Sequence, residues 1–126
     1  MTAGAVAFEH GMTECVFCSR IEHGLFGRHD KWAVAFEPLK PVIRGRHILV
    51  VPRRHAPHAG ADPDGAAVAM RFAATLAAEM GMDFNIITSA GPAATQTIEH
   101  THLHVLLREP GDGITLPWTV QDRSDP

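Results

Sequence analysis

The chain has no tyrosine and only two cysteines, Cys15 and Cys18, among its 126 residues. Two cysteines are too few for a disulfide-stapled secreted domain, so we expect a reducing, cytoplasmic environment. No apolar run approaches the roughly 20 residues of a membrane span, and no basic segment precedes the first apolar residues as in a signal peptide. The sequence therefore predicts a protein without membrane association.

An excess of positive charge is also lacking, because the formal net charge is −3. This charge disfavours a broad surface for nucleic acid, although a small anion can still be held by local donors. The length suits one domain with a single core. We predict a flexible N-terminal arm over residues 1–14, a folded domain over residues 15–118 and a C-terminal tail over residues 119–126.

Apolar patterning predicts an α+β fold with a mainly antiparallel sheet. Strands are expected at residues 31–36, 47–51, 84–88 and 98–107. A short helix over Cys15 to His23 is expected to end at Gly24, and a long one is expected to begin at Pro63 and end at Gly81. Its core-facing row is predicted to recur every four residues and to consist of Val68, Phe72, Leu76 and Met80.

Histidine is unusually abundant, with nine in the chain. His100, His102 and His104 alternate along the last predicted strand, and alternate residues of a strand share one face. Three such histidines are costly in an apolar strand unless each finds a partner. A neutral imidazole is a competent nucleophile at phosphorus near pH 7. The pattern favours a reactive site over a chance surface cluster or an adventitious metal site.

Cys15 and Cys18 have the spacing of half a zinc site, because two thiolates three residues apart can reach one tetrahedral ion. The remaining two ligands would have to come from distant histidines. A pair of free buried thiols or a redox pair is the alternative interpretation.

The segment QTIEHTHLHVLL, from Gln96 to Leu107, resembles the signature of the histidine-triad (HIT) family. The resemblance continues through CVFC at 15–18, AFEPLKPV at 35–42, HILVVPRRH at 47–55 and GDGITLPW at 111–118. It implies a HIT-like fold, with about five antiparallel strands, one long helix and one short helix, in a homodimer. It also implies the hydrolysis or transfer of nucleoside monophosphate groups.

Carried over by position, the resemblance makes His102 the nucleophile that attacks the α-phosphate of a purine nucleotide. His104 would contact that phosphate or the leaving-group side. Gln96 and Thr97 would donate hydrogen bonds to phosphate oxygens, and Glu37 would bind the ribose hydroxyls. Ser89 completes the predicted nucleotide-binding residues at the start of a loop that reads PAAT at 92–95 where the family tends to be glycine-rich.

The resemblance also completes the metal site, because relatives with this cysteine pair use two histidines that correspond to His55 and His100. Four ligands with no open position make a zinc site structural. His58 lies on the same loop and competes with His55 for the third position. His47 is expected to have a role in the core or in a dimer contact.

The favoured function is hydrolysis of a dinucleoside polyphosphate or a nucleoside phosphoramidate through a covalent nucleotidyl-histidine intermediate. A catalytically weak, regulatory nucleotide-binding protein and a zinc-binding structural protein on the same fold are the alternatives.

Overall fold

A computed structural model describes residues 15–119 of the chain. The predicted N-terminal arm and residues 120–126 of the predicted tail lie outside the described residues. Within residues 15–119, two α-helices and four strands make up the regular structure, with 3₁₀ turns at Ala59–Ala61 and Pro92–Ala94.

The short helix α1 spans Val16–Glu22, close to its predicted bounds. Cys15 caps its N-terminus, because the Cys15 sulfur accepts a hydrogen bond from the backbone N–H of Cys18 at 3.3 Å. After the helix, Gly24 adopts a φ of 69°, a left-handed conformation that glycine reaches without steric cost. The chain then turns back toward the sheet.

The long helix α2 spans Pro63–Glu79, and the side chain of Asp62 caps it by accepting from the N–H of Gly65. Its buried face consists mainly of small residues and comprises Gly65, Ala69, Phe72, Ala73, Leu76 and Ala77. The prediction that Met80 lies in the core is wrong, since 42% of its surface is exposed. The alanines let the helix approach the sheet closely, and Met80 follows the last helical residue.

The strands are β1 at Ala33–Phe36, β2 at His47–Pro52, β3 at Asp83–Ile87 and β4 at Leu103–Arg108. They form one antiparallel sheet in the order β1-β2-β4-β3. The mixed architecture is confirmed, with four strands in place of about five among residues 15–119. The segment before β1 pairs with it through an isolated bridge between His29 and Val34, so it forms a hairpin arm without becoming a fifth strand.

The two faces of the sheet bury different elements. On one face, Leu103, Val105 and Leu107 pack with α2, as the alternation of β4 predicted. On the other face, Leu49 and Val51 pack with α1. Because side chains alternate along a strand, His47 of β2 and His104 of β4 belong to the α1 face.

The last strand begins later than predicted, at Leu103 in place of Ile98. Its neighbour β2 ends at Pro52, which has no N–H to continue the ladder. The backbone N–H of Thr101 instead bonds the carbonyl of Ala56 at 2.9 Å. His100 and His102 therefore precede the strand, and only His104 of the three histidines lies within it.

Candidate functional site

A cluster of two cysteines and two histidines joins α1 to the end of the sheet. The Cys15 Sγ lies 3.3 Å from the His100 Nδ1, and the Cys18 Sγ lies 3.3 Å from the His55 Nδ1. The two imidazole Nδ1 atoms are 3.1 Å apart. All four candidate ligand atoms lie within 4.8 Å of one another. The sequence placed these residues at a metal site, and the fold brings them together.

The distances suit a tetrahedral ion. Zinc–sulfur bonds of about 2.3 Å and zinc–nitrogen bonds of about 2.0 Å put tetrahedral ligand atoms roughly 3.3–3.8 Å apart. The hydrogen bond that the Cys15 thiolate receives from the Cys18 thiol, together with nearby His100, lowers the pKa of Cys15 to about 3, although burial opposes the shift. A thiolate is the form that binds metal. The donor set therefore fits a closed, four-ligand metal site.

A backbone carbonyl orients the buried ligand His100. Its Nε2 lies 2.9 Å from the carbonyl oxygen of Pro52, which can only accept, so Nε2 carries the proton. The lone pair of Nδ1 then faces the sulfur atoms, as a metal ligand requires. His58, the alternative third ligand, instead accepts the N–H of Gly60 at its Nδ1 and stays outside the cluster.

His102 has the opposite arrangement of ring nitrogens. Its Nδ1 lies 2.7 Å from the carbonyl oxygen of His100 and donates to it, which leaves the lone pair on Nε2. Burial lowers the pKa of His102 below its ordinary value, so the ring is neutral at pH 7. A neutral imidazole with a fixed tautomer and a free Nε2 has the properties of a nucleophile.

His104 lies between His102 and His47. Its ring centroid is 5.1 Å from that of His102, and its Nδ1 is 2.9 Å from the Nε2 of His47. The Nδ1 of His47 in turn accepts the backbone N–H of Val42 at 3.0 Å. Burial, with the neighbouring His102 and His47, lowers the pKa of His104 to about 4. The ring of His104 is therefore neutral across the physiological range.

An apolar groove of about 620 Å³ opens between α1 and the ends of β1 and β2. Phe17, Phe36, Leu49 and Ile98 line it, and Glu37 stands among its few charged residues. The Phe17 ring also meets the His102 ring at a centroid distance of 5.2 Å. The groove thus adjoins the candidate nucleophile and has the apolar walls that a flat ring system requires.

The loop before the triad is braced by Gln96. Its side-chain oxygen accepts the N–H of Gly91 at 2.8 Å, and its amide nitrogen donates to the carbonyls of Pro57 and Ile98. Thr95 in this loop adopts a φ of 70°, a conformation that costs a β-branched residue roughly 1–2 kcal/mol. The Gln96 bonds hold this strained turn in place.

The comparison with known families agrees with this geometry. The HIT domain model matches residues 22–111, which is more than half of the chain. The chain belongs to the HIT domain family.

Relatives of this HIT domain include named hydrolases. It is 29% identical over 114 residues to the adenosine 5′-monophosphoramidase HNT1 of Saccharomyces cerevisiae, covering 86% of this chain and 72% of the relative. It is 31% identical over 108 residues to the adenylylsulfatase HINT3 of Arabidopsis thaliana, covering 79% of this chain and 54% of the relative. A zinc-bound histidine triad protein from Mycobacterium smegmatis has the same fold, with a TM-score of 0.73 at 30% identity, covering 83% and 82% of the two chains. The family to which this chain belongs therefore includes named hydrolases among the relatives of this chain.

The HIT domain places the other predicted nucleotide-binding residues at different parts of the site. Glu37 lines the groove. Thr97 is exposed and Ser89 is half-buried in the loop segment. Both N–H groups of the Gln96 amide are directed at backbone carbonyls, so donation to a phosphate would require these bonds to break.

The site roles of two residues, His47 and Phe17, were not predicted from the sequence. His47 was expected in the core or in a dimer contact; it is buried, and its ring also contacts His104. His47 alternates along β2 with Leu49 and Val51, and this spacing could have placed it on the sheet face that carries His104. Phe17 lies between the two cysteines, and its spacing gives no comparable signal.

Among the described residues, no helix is long and apolar enough to cross a membrane.

Proposed function

We propose that this protein hydrolyses nucleoside phosphoramidates or dinucleoside polyphosphates at the α-phosphate through a covalent nucleotidyl intermediate on His102. The observation that carries the proposal is the 2.7 Å bond between the His102 Nδ1 and the His100 carbonyl. This bond directs the free lone pair to Nε2, and the ring contacts Phe17 at the groove. The nucleophile is thereby oriented before a substrate arrives.

In the first step, the Nε2 of His102 attacks the α-phosphorus, and the bond from phosphorus to the leaving group breaks. The ring becomes a phosphorylated imidazolium whose Nδ1–H stays hydrogen-bonded to the His100 carbonyl oxygen, and this bond stabilises its positive charge. The leaving group takes its proton from solvent. In the second step, water attacks the phosphorus, the phosphorus–Nε2 bond breaks, and the nucleoside monophosphate departs while the water proton passes to solvent.

His104 acts as a hydrogen-bond donor to the α-phosphate. Its pKa of about 4 makes it neutral, so its single ring proton is not available for transfer at pH 7. A neutral N–H directed at a phosphate oxygen still stabilises the negative charge of the transition state. This role agrees with the contact that the sequence predicted for His104.

The nucleoside is proposed to occupy the groove, with a purine base against Phe17 and Phe36 and the ribose hydroxyls at Glu37. The apolar lining and the single carboxylate support this orientation. Ser89 and Thr97, from the segment that precedes the histidines, are proposed to bind phosphate oxygens. Gln96 is proposed to act through the loop that it braces.

The metal is proposed to be zinc in a structural role. Cys15, Cys18, His55 and His100 would hold it, leaving no open position for substrate. Bound zinc would cross-link α1 to the sheet, and its role would be structural. Two thiolate ligands persist in a reducing compartment, which supports a cytoplasmic location.

A homodimer is proposed from the edge of the sheet at β3, which pairs with β4 alone among the described residues. Phe84 of β3 is about two-fifths exposed, and so are Met70 and Met80. Apolar side chains beside an open strand edge are typical of a surface that a second copy covers. Sedimentation or light scattering at micromolar concentration is expected to give twice the mass of one chain.

The decisive experiment follows release of AMP from adenosine 5′-phosphoramidate and, separately, from diadenosine tetraphosphate. Wild-type protein is expected to release AMP, and His102→Ala is expected to lose at least about 10³-fold in kcat because the nucleophile is gone. Rapid acid or base quench of the wild type is expected to trap AMP on the chain. His23→Ala, which changes an exposed histidine at the C-terminal cap of α1, is the matched control.

Equal activity of His102→Ala and wild type would contradict the assigned nucleophile. A folded wild type that binds AMP but releases none from either substrate would contradict the hydrolase and favour the regulatory nucleotide-binding protein. The better of the two substrates identifies the leaving group that the site accepts.

A further inference from the structure

His47 forms the middle of a hydrogen-bond chain that begins at the backbone and ends at the triad. The N–H of Val42 reaches the Nδ1 of His47 at 3.0 Å, and the Nε2 of His47 reaches the Nδ1 of His104 at 2.9 Å. His47 is buried, with 6% of its surface exposed. Its ring is therefore held by contacts within the protein and has little freedom to turn.

The direction of each bond follows from the first donor. A backbone N–H can only donate, so the Nδ1 of His47 must carry a lone pair. The single proton of the neutral ring is then on Nε2, and it points at the Nδ1 of His104. If His104 donated instead, His47 would need its proton on Nδ1, where it would meet the N–H of Val42.

We propose that His47 is a positioning residue that holds His104 with its proton on Nε2. His104 thereby presents an N–H on the ring edge opposite His47. This inference rests on the proposed hydrolysis, in which that N–H binds the α-phosphate, and it adds to that proposal the residue that determines the tautomer of His104.

The charged and titratable neighbours agree with neutral rings along this chain. Burial lowers the pKa of His47, and the negative charge of Glu37 opposes the shift without reversing it. His102 and His47 are the titratable groups that act on His104. A doubly protonated His47 would also present an N–H to the N–H of Val42, which the geometry disfavours.

The donor Val42 belongs to the segment that follows Glu37 and leads into β2. The same segment contributes Glu37, Pro38 and Leu39 to the groove. The conformation of one groove wall is therefore coupled to the tautomer of His104 through a single backbone amide.

The direct test is the ¹⁵N NMR spectrum of the histidine rings in the wild-type protein at about pH 8. Protonated and unprotonated ring nitrogens resonate in separate ranges, so each tautomer can be assigned. His104 is expected to carry its proton on Nε2, like His58, whose Nδ1 also accepts a backbone N–H. His102 is expected to carry its proton on Nδ1 and provides the opposite reference. A proton on the Nδ1 of His104 would overturn the inference.

Two variants test the consequence for turnover. His47→Leu removes both hydrogen bonds, and it is expected to lower kcat by about 10–100-fold, the usual effect of losing an orienting partner, with KM changed less than about threefold. His47→Gln keeps an acceptor and a donor on one side chain, so it is expected to recover much of the loss. His58→Leu, which loses a histidine outside the site, is expected to match wild type.

An unchanged kcat in His47→Leu, or equal losses in the leucine and glutamine variants, would overturn the role of His47. The NMR measurement needs neither a folded variant nor turnover. Absence of activity in the wild type would therefore contradict the hydrolase while the tautomer of His104 is still tested.

Discussion

His100 and His102 are two residues apart, yet the fold uses them in opposite ways. His100 directs its Nε2 proton to the carbonyl of Pro52 and its Nδ1 lone pair to two sulfur atoms. His102 directs its Nδ1 proton to the carbonyl of His100 and leaves its lone pair on Nε2. The two rings differ in which nitrogen meets a backbone carbonyl. That choice makes one ring a candidate metal ligand and the other a candidate nucleophile.

The surroundings of His100 and His102 also differ in burial and in the side chains beside each ring. The ring of His100 is fully buried beside thiols, whereas His102 and His104 are half-buried beside the groove. Soft thiolate ligands in a closed cage suit zinc, and half-exposed neutral imidazoles suit attack on a phosphate. The Phe17 ring contacts both His100 and His102, so it lies between the candidate metal site and the candidate nucleophile.

Removal of a candidate metal ligand is expected to have the largest effect. Cys18→Ser is expected to abolish stable zinc binding and to destabilise the fold by about 3 kcal/mol or more, since loss of a structural metal is among the most severe single changes. Zinc content of the purified protein and thermal unfolding measure the two effects.

Ser19→Ala is the matched control for Cys18→Ser, because Ser19 is the next residue of α1 and contacts His23 and not the cluster. A Cys18→Ser protein that retained one zinc per chain with wild-type stability would refute the metal site. Because Phe17 lies between the cysteines and lines the groove, weaker AMP binding is expected to accompany the metal loss.

A change of pH is expected to have a smaller effect on stability, and it acts through His104, which contacts His47 and His102. The pKa of His104 is about 4 in the fold, below its unfolded value near 6.5. Between these values the unfolded chain binds a proton that folded His104 does not, so stability falls as pH drops from 6.5 toward 4. Thermal unfolding of wild type and His104→Gln over this range measures the effect.

The variant lacks this titration, so its unfolding temperature is expected to fall less steeply with acid than that of wild type. His58→Gln, at an exposed turn, is expected to follow the wild-type slope. Parallel curves for wild type and His104→Gln would contradict the lowered pKa.

Substitution of Gln96 is expected to have the smallest effect. Its amide links the loop that carries His55 to the loop that leads into the triad. Gln96→Ala is expected to cost about 1 kcal/mol of stability and less than about tenfold in kcat/KM, with zinc content unchanged. Gln96→Glu retains an oxygen to accept the N–H of Gly91 and loses the donors to Pro57 and Ile98. A loss of 100-fold or more at unchanged stability would instead show direct contact with the phosphate.

Much of this site was predictable because its motifs are local. The spacing of Cys15 and Cys18 and the alternation of the three histidines are read directly from the sequence. The amphipathic pattern and the Asp62 cap likewise located α2. Resemblance to the family then supplied His55 and His100 as the distant ligands, and the structure places them beside the cysteines.

Features that depend on tertiary contacts could not be predicted in this way. The late start of β4 depends on Pro52, a residue about fifty positions earlier that ends the neighbouring strand. The partner of His47 depends on the register that pairs β2 with β4. Met80 fits the helical period of the core row, but α2 ends one residue before it.

The four-residue metal cluster has a further consequence for the order of folding. Helix α1 has only seven residues, which is too short to be stable alone in water. Its cysteines must meet His100, more than eighty residues away along the chain, and closing so long a loop is entropically costly. We therefore expect the sheet and α2 to assemble first and α1 to dock last. The groove that we propose for the nucleotide would then be complete only after α1 has docked, so a chain without the proposed zinc is expected to bind AMP weakly.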